Sequence, residues 1–226
     1  LADIGAYAFE NCSALTAINI PASVKVIGNG AFMNCSALEV VTLNEGLRTI
    51  SDFVFAFCAR IVNITIPESV QQIGNNIFND CMSLEIMIMK AAVPPSISPE
   101  GLYRSTVKVY VPDASLQAYK SAQNWRRYDD RTLALSQMAD ELIPQDTYAM
   151  GEMVTMTDAV GEGITVYIAP SGLTTFEDLQ DGYFSKLDGH FTDAIIKMPQ
   201  QQGTFRVYVV MNSAIISVGN NIITVL

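Results

Sequence analysis

The chain has 226 residues, half of them hydrophobic, enough for one sizeable core or two smaller ones. Twenty-three acidic against 13 basic side chains give a formal charge of −10, which repels phosphate backbones and anionic lipid and argues against nucleic acid as a partner. No run approaches the roughly 18 uncharged apolar residues needed to cross a bilayer. The richest stretch, EIMIMKAAVPP, is broken by Lys90 and two prolines, and the opening LADIGAYAFE has neither the basic nor the long apolar region of a signal peptide, which is therefore absent or removed.

From the first residues the chain repeats itself. A slide of 23 residues aligns IGAYAFENCSALTAINIPASVKV with IGNGAFMNCSALEVVTLNEGLRT, then ISDFVFAFCARIVNITIPESVQQ, then IGNNIFNDCMSLEIMIMKAAVPP. The four cysteines, Cys12, Cys35, Cys58 and Cys81, are one position repeated. Apolar columns keep the same register: Ile4, Ile27, Ile50 and Ile73; Phe9, Phe32, Phe55 and Phe78; Leu15, Leu38, Ile61 and Leu84; and the I-x-I pairs that begin with Ile18 and Ile20. A period in the twenties with an L-x-x-I-x-I core marks a leucine-rich repeat, one short strand and one helical or irregular return per unit. The fold class expected is an α/β leucine-rich repeat solenoid with a parallel sheet, followed by a small all-β sandwich.

A degenerate fifth strand is expected near 106–111, where Val109 and Val111 fall about one period after Met87 and Met89. PDASLQAYKSAQNWRRY then reads as a helix with Asp113 or Ser115 as N-cap and Ala118, Tyr119, Ala122 and Trp125 on one face. A solenoid end needs a lid, and this helix would supply it.

The motif I-G-x-x-A-F-x-N-C-x-x-L-x-x-I-x-I-P-x-x-V, best kept in the first two units, resembles the BspA-like leucine-rich repeats of bacterial cell-surface proteins, and VYVPDASLQAYKSAQNW resembles the segment that closes such arrays. The resemblance covers residues 1 to about 130 and implies an exported, surface-attached adhesion or matrix-contact protein with no catalytic residues. The third unit departs from the motif, with Ser51 for Gly and Phe57 for Asn, and the second has Asn44 where its neighbours have Pro. The strand that should precede Ile4 is missing, so further repeats are expected upstream.

Four thiols stacked one per repeat would stand about 5 Å apart with parallel Cβ vectors, a poor geometry for disulfides, so they are expected to be free and buried. A metal ladder lacks histidines and C-x-x-C pairs, and a catalytic cysteine lacks a base, because His190 lies in a later segment.

Near residue 137 the register is lost in the polar stretch QMADELIPQDTYAMGE, and the expected divisions are 1–92 for the repeats, 93–136 for the last repeat and cap, and 137–226 for the sandwich. There MVTMTD, ITVYIAP, HFTDAIIKMP, TFRVYVVMN, AIISV and IITVL alternate like strands. The piece MPQQQGTFRVYVV resembles a late strand of immunoglobulin-like surface domains. The loop FEDLQDGYFSKLDGHFTD gathers Glu177, Asp178, Asp181, Asp188 and Asp193 in a spacing that fits no EF-hand, so it reads as a solvated loop with Asp-Gly turns.

Two candidate sites result. The first is the outward face of the repeat strands, with Asn19, Thr42, Asn63 and Thr65; the alternative is a sugar site in the sandwich loops, with Asp181, Tyr183, Asp188 and Phe191. Ile86 and Ile88 make the fourth strand apolar on both sides, which predicts that this part of the sheet is covered. No G-x-S-x-G, Walker, Rossmann or H-E-x-x-H motif is present, and neither an enzyme, a cofactor nor a bound metal is expected. A monomer at the cell surface is expected, binding a protein, matrix or glycan partner.

Overall fold

The computed structural model describes residues 2–142 and, beyond them, 147–148, 153–155, 164–170, 173, 185–188, 195–197, 203–211, 214–218 and 223–225. The chain divides into two compact units, Leu1–Leu133 and Ala134–Leu226.

In the first unit the I-x-I segments become four-residue strands: β2 (Ala17–Ile20), β4 (Val40–Leu43), β6 (Asn63–Ile66), β8 (Ile86–Met89) and β10 (Lys108–Val111). The fifth strand therefore lies where the sequence places it. Alternating with them are two-residue strands that periodicity alone does not reveal: β1 (Asp3–Ile4), β3 (Val26–Ile27), β5 (Thr49–Ile50), β7 (Gln72–Ile73) and β9 (Ser96–Ile97). The short strands form one continuous parallel ladder, β1-β3-β5-β7-β9. The longer ones form two, β2-β4 and β6-β8-β10, the latter extended by β11 (Thr132–Ala134).

The return segment is not helical among the described residues, so the α component of the expected class is absent from the repeats. A helix needs an unbroken run of right-handed residues, and each return has two left-handed ones four apart: Tyr7 and Asn11, Gly30 and Asn34, Phe53 and Phe57, Asn76 and Asp80. The backbone makes tight turns instead and sends alternate N–H groups into the next repeat. Tyr7, Phe9 and Asn11 donate to the carbonyls of Asn29, Ala31 and Met33, and Phe53, Phe55 and Phe57 donate to Asn75, Ile77 and Asn79, at 2.7–2.9 Å. The turns become a ladder of their own.

The ladder fixes the core. Phe9, Phe32, Phe55 and Phe78 stack with centroids 5.1, 5.6 and 5.8 Å apart and ring planes within 12°. Apart from Phe9, which is 38 % exposed, the columns read from the sequence join or pack against one core cluster, from Ile4, Ile27, Ile50 and Ile73 to Val24, Leu47 and Val70. Glycine marks the closest approach of consecutive turns: a Cβ on Gly28 would lie 2.6 Å from the Ala6 nitrogen, and one on Gly74 would lie 2.5 Å from the Ser51 carbonyl carbon.

The lid differs from the single helix expected. Only Leu116–Ser121 is α-helical (α1), flanked by 3-10 turns at Asp113–Ser115 and Trp125–Arg131, and Ser115 makes no side-chain cap bond. Ala122 is extended, Asn124 is left-handed, and Ala118 faces solvent. The break is what delivers the lid's polar atoms to the last repeat. Tyr119 Oη donates to the Ala91 carbonyl (2.9 Å), Trp125 Nε1 to Pro95 (2.7 Å) and Asn124 Nδ2 to Ile97 (2.7 Å), while Tyr128 Oη accepts the Leu102 N–H (3.2 Å). These side chains satisfy backbone groups that a further repeat would otherwise bind. Tyr119 and Trp125 meet edge to face at 5.1 Å and are buried, so the tryptophan packs, as expected.

The second unit begins with a helix, α2 (Leu135–Leu142), that runs into the stretch read as polar from residue 137; the Gln137 side chain accepts the Ala134 N–H at 2.7 Å and caps its start. Its strands are β12 (Thr147–Tyr148), β13 (Met153–Thr155), β14 (Ile164–Pro170), β15 (Ser185–Asp188), β16 (Ile195–Lys197), β17 (Gly203–Met211), β18 (Ala214–Val218) and β19 (Ile223–Val225). The main sheet runs β12-β19-β17-β14-β15, with β18 also on β17, while β13 and β16 pair separately. Its centre is the antiparallel β14–β17 pair, in register from Ile164↔Met211 to Pro170↔Phe205. Tyr167, Ala169, Tyr208 and Val210 cluster on one face, and Val166, Ile168, Val207 and Val209 are buried as well, so this pair is covered on both sides. Tyr208 Oη ties the end of β14 by donating to the Pro170 carbonyl at 2.8 Å.

Candidate functional site

The strand face follows the register expected: Ala17 pairs with Val40 and Asn19 with Thr42, then Asn63 with Ile86 and Thr65 with Ile88. The four candidate polar residues nevertheless fall in two groups, because the backbone ladder is interrupted between β4 and β6. Asn19 is exposed and its Oδ1 accepts from Asn44 Nδ2 at 2.7 Å, so the asparagine that replaces proline ties the first two repeats together. Thr42 is half-buried, and Asn63 and Thr65 are half-buried and engaged in polar interactions of their own. Ile86 and Ile88 are buried, as the sequence implies, and so is Tyr110 beside them. The open part of this face is the N-terminal part, at Ala17, Asn19, Val40 and Thr42.

Of the alternative site, Asp188 ends β15, paired with Thr165, and Asp181, Tyr183 and Phe191 lie outside the described residues, as do His190, Glu177, Asp178 and Asp193. Among the described residues no three His, Cys, Asp or Glu side chains converge on a metal site.

The cysteines are free, and three of them have a role that the sequence did not show. Sγ of Cys35, Cys58 and Cys81 donates to the carbonyls of Phe9, Phe32 and Phe55, one repeat back, at 3.1, 3.2 and 2.9 Å. Burial raises all three thiols, with Cys81 pushed up to about 12, so they stay protonated and unreactive at neutral pH. They are hydrogen-bonded core, not nucleophiles.

The turn face carries a feature that spacing alone passed over. Of the nine non-glycine residues with positive φ among the described residues, five are Asn or Asp, which this conformation suits, and three are aromatic: Tyr7, Phe53 and Phe57. All three rings are exposed, at 54, 39 and 43 %, whereas Phe32, Phe55 and Phe78 on the inner side are at most 1 % exposed. A left-handed conformation costs a residue with a Cβ roughly 1–2 kcal/mol, and these side chains regain only part of it through burial. The signal was present in Phe57, which stands where two other repeats have Asn.

Parallel ladders of short and of longer strands, joined by a ladder of left-handed turns, define a leucine-rich repeat solenoid. Residues 2–107 match the family model of the BspA type leucine rich repeat region in six copies, and this part of the chain belongs to that family. No curated protein matches the chain significantly. Among solved structures, a leucine-rich repeat protein of T. pallidum is 31 % identical, with 50 % of this chain and 52 % of that one covered and a TM-score of 0.44. A leucine rich cell surface protein of Faecalibacterium prausnitzii is 21 % identical over 72 % of this chain and 42 % of that one, with a TM-score of 0.36. A leucine-rich repeat protein of Bacteroides ovatus is also 21 % identical, over 50 % and 48 %, at 0.30. The chain thus spans about half the length of each of these three structures.

Proposed function

We propose that the protein is a non-enzymatic, cell-surface binding protein whose repeat array is a scaffold for a protein or matrix partner, with the second unit as a sandwich-like spacer or additional module. The observation that carries this reading is the surface that the repeats leave open on the turn side and on the first strands, while Cys35, Cys58 and Cys81 are committed to the core. The family relation of residues 2–107 supports it.

On this reading the strand face at Asn19 and Thr42 is a contact surface. Biolayer interferometry of the chain against a panel of immobilised extracellular-matrix proteins tests it, run beside a variant carrying Asn19→Arg and Thr42→Arg. A partner whose signal falls at least tenfold in the variant bears the reading out; a panel that responds equally to both proteins removes the strand face from the function.

A further inference from the structure

The exposed aromatics of the turn face lie in register, not at random. Tyr7 and Phe53 occupy the same position of the first and third repeats, and glycine stands between them at Gly30. That gap is filled by the Tyr7 ring, whose Cε1 and Cδ1 lie 2.5 and 2.7 Å from where a Gly30 Cβ would be. Gly30 N–H in turn donates to the Asp52 carbonyl at 2.8 Å, directly before Phe53, and Phe57 follows in the same turn. Rings and backbone therefore make a strip that crosses three repeats. Phe55, between the two exposed phenylalanines, points inward, so the outward pair is not an accident of a generally apolar segment.

The strip has one sign of charge. The four turn segments 5–13, 28–36, 51–59 and 74–82 contain Glu10, Asp52 and Asp80 and no lysine or arginine. Asp52 Oδ1 accepts the Asn75 N–H at 2.7 Å and Asp80 Oδ2 accepts Asn79 Nδ2 at 2.9 Å, so both carboxylates are held in place by neutral donors. The salt bridge described in this unit, Arg60 to Glu39 at 2.6 Å, starts just past the third turn. Aromatic faces set among fixed carboxylates attract cations twice over, through the ring quadrupole and through direct Coulomb attraction, and guanidinium fits such a surface better than ammonium because it is planar and weakly hydrated.

We propose that Tyr7, Phe53 and Phe57 form a docking strip for an arginine- or lysine-rich segment of a protein partner, with Glu10, Asp52 and Asp80 as its acidic rim. The inference rests on the scaffold reading and moves a contact from the strands to the turns. It explains why aromatic rings occupy left-handed positions that asparagine fills at Asn11, Asn34 and Asn76.

The test is calorimetric titration of the full chain with an (Arg-Gly)6 peptide at about 0.15 M salt, where charges farther apart than about 8 Å are largely screened. Eleven of the 23 acidic residues but only three of the 13 basic ones lie in Ala134–Leu226, so non-specific attraction of the peptide to that unit is expected and must be separated. Neutral substitutions do this, because they leave the charge of the chain unchanged. Phe53→Asn with Phe57→Asn should weaken binding at least tenfold while the melting temperature stays level or rises; Phe53→Leu with Phe57→Leu should also weaken it, and the paired Tyr variants should bind as the wild type does.

Unchanged affinity in the Asn or Leu variants, or no binding by the wild type, overturns the proposal. So does a signal for cellohexaose in place of the peptide, which would assign the strip to sugars. Loss of peptide binding in Asn19→Ala with Thr42→Ala, and not in the Phe variants, would sink the strip and leave the strand face standing. Peptide binding that survives a silent matrix panel would do the reverse.

Discussion

The two long sides of the repeats are built on different rules. On the turn side the first four repeats are tied together by the same backbone bonds, the same thiol and the same phenylalanine, and glycine stands at Gly28 and Gly74 where turns touch. On the strand side the ladder is interrupted between β4 and β6, Asn44 replaces a proline, and outward residues run from exposed Ala17 to buried Ile88. The turn side specifies the fold and the strand side tolerates variation, the reverse of what a reader of the I-x-I strands alone would conclude.

The largest expected effect tests that ranking directly. Phe55 is fully buried between Phe32 and Phe78, so Phe55→Ala should cost about 3–5 kcal/mol, because it leaves a ring-sized cavity that backbone bonds on both sides keep from collapsing. Urea unfolding followed by circular dichroism measures it. A cost no larger than that of Thr65→Ala would end the distinction between the two sides.

The thiols give a second, pH-dependent break. Burial raises Cys58 and Cys81 from an ordinary value of 9.0, Cys81 to about 12, so the folded state holds protons that the unfolded state releases. Their stabilisation is complete below about pH 9 and is lost as pH rises toward the folded values, at up to about 1.4 kcal/mol per pH unit for each thiol. The urea midpoint should therefore fall between pH 9 and 11, and less steeply in Cys58→Ser. Serine keeps a donor for the Phe32 carbonyl, and Ser105 already fills the corresponding place in the last repeat. An identical pH profile in the variant would show that the thiol is not the titrating group.

How much of this was legible depends on what repeats. Inward columns, free cysteines, five longer strands and the need for a lid all follow from a period of 23, because a residue recurring in register must recur in space. The left-handed turns were not legible. Asn11 and Asn34 hint at them, but Tyr7 and Phe53 hide the pattern, since an aromatic residue carries no local signal for positive φ. The two-residue strands were invisible because no alternation can be read from two residues. In the lid the helical spacing from Ala118 to Trp125 misled: the last repeat's open carbonyls outweighed propensity and broke the helix at Ala122. Of the candidate site, the register of the strand face could be read but not the half-burial of Thr42, Asn63 and Thr65, and the aromatic strip required the turn geometry.

Glycine sharpens the comparison at finer grain. Gly74→Ala should cost about 1–3 kcal/mol, since its Cβ would press on the Ser51 and Asp52 backbone of the preceding turn, whose ladder bonds resist movement. Gly5 occupies the same position of the first repeat and nothing lies within 4 Å of its added Cβ, so Gly5→Ala should be close to neutral. Thermal melts of the two variants decide the matter. Equal costs would mean that the glycine column serves backbone freedom and not close approach.

The smallest effect belongs to the strand side. Thr42→Lys places a long side chain on the open part of the face, beside exposed Val40 and Asn19, and should change stability by less than about 0.5 kcal/mol in either direction. Thr65→Lys is the matched control one strand nearer the covered end, where Ile88 is its partner in register and is 1 % exposed. A lysine there must either bend away from buried neighbours or lose its hydration, so its cost should exceed that of Thr42→Lys measurably in the same urea series. If the two cost the same, the gradient of burial along the strand face does not limit what can bind it, and a partner has the whole face available from Ala17 to Thr65.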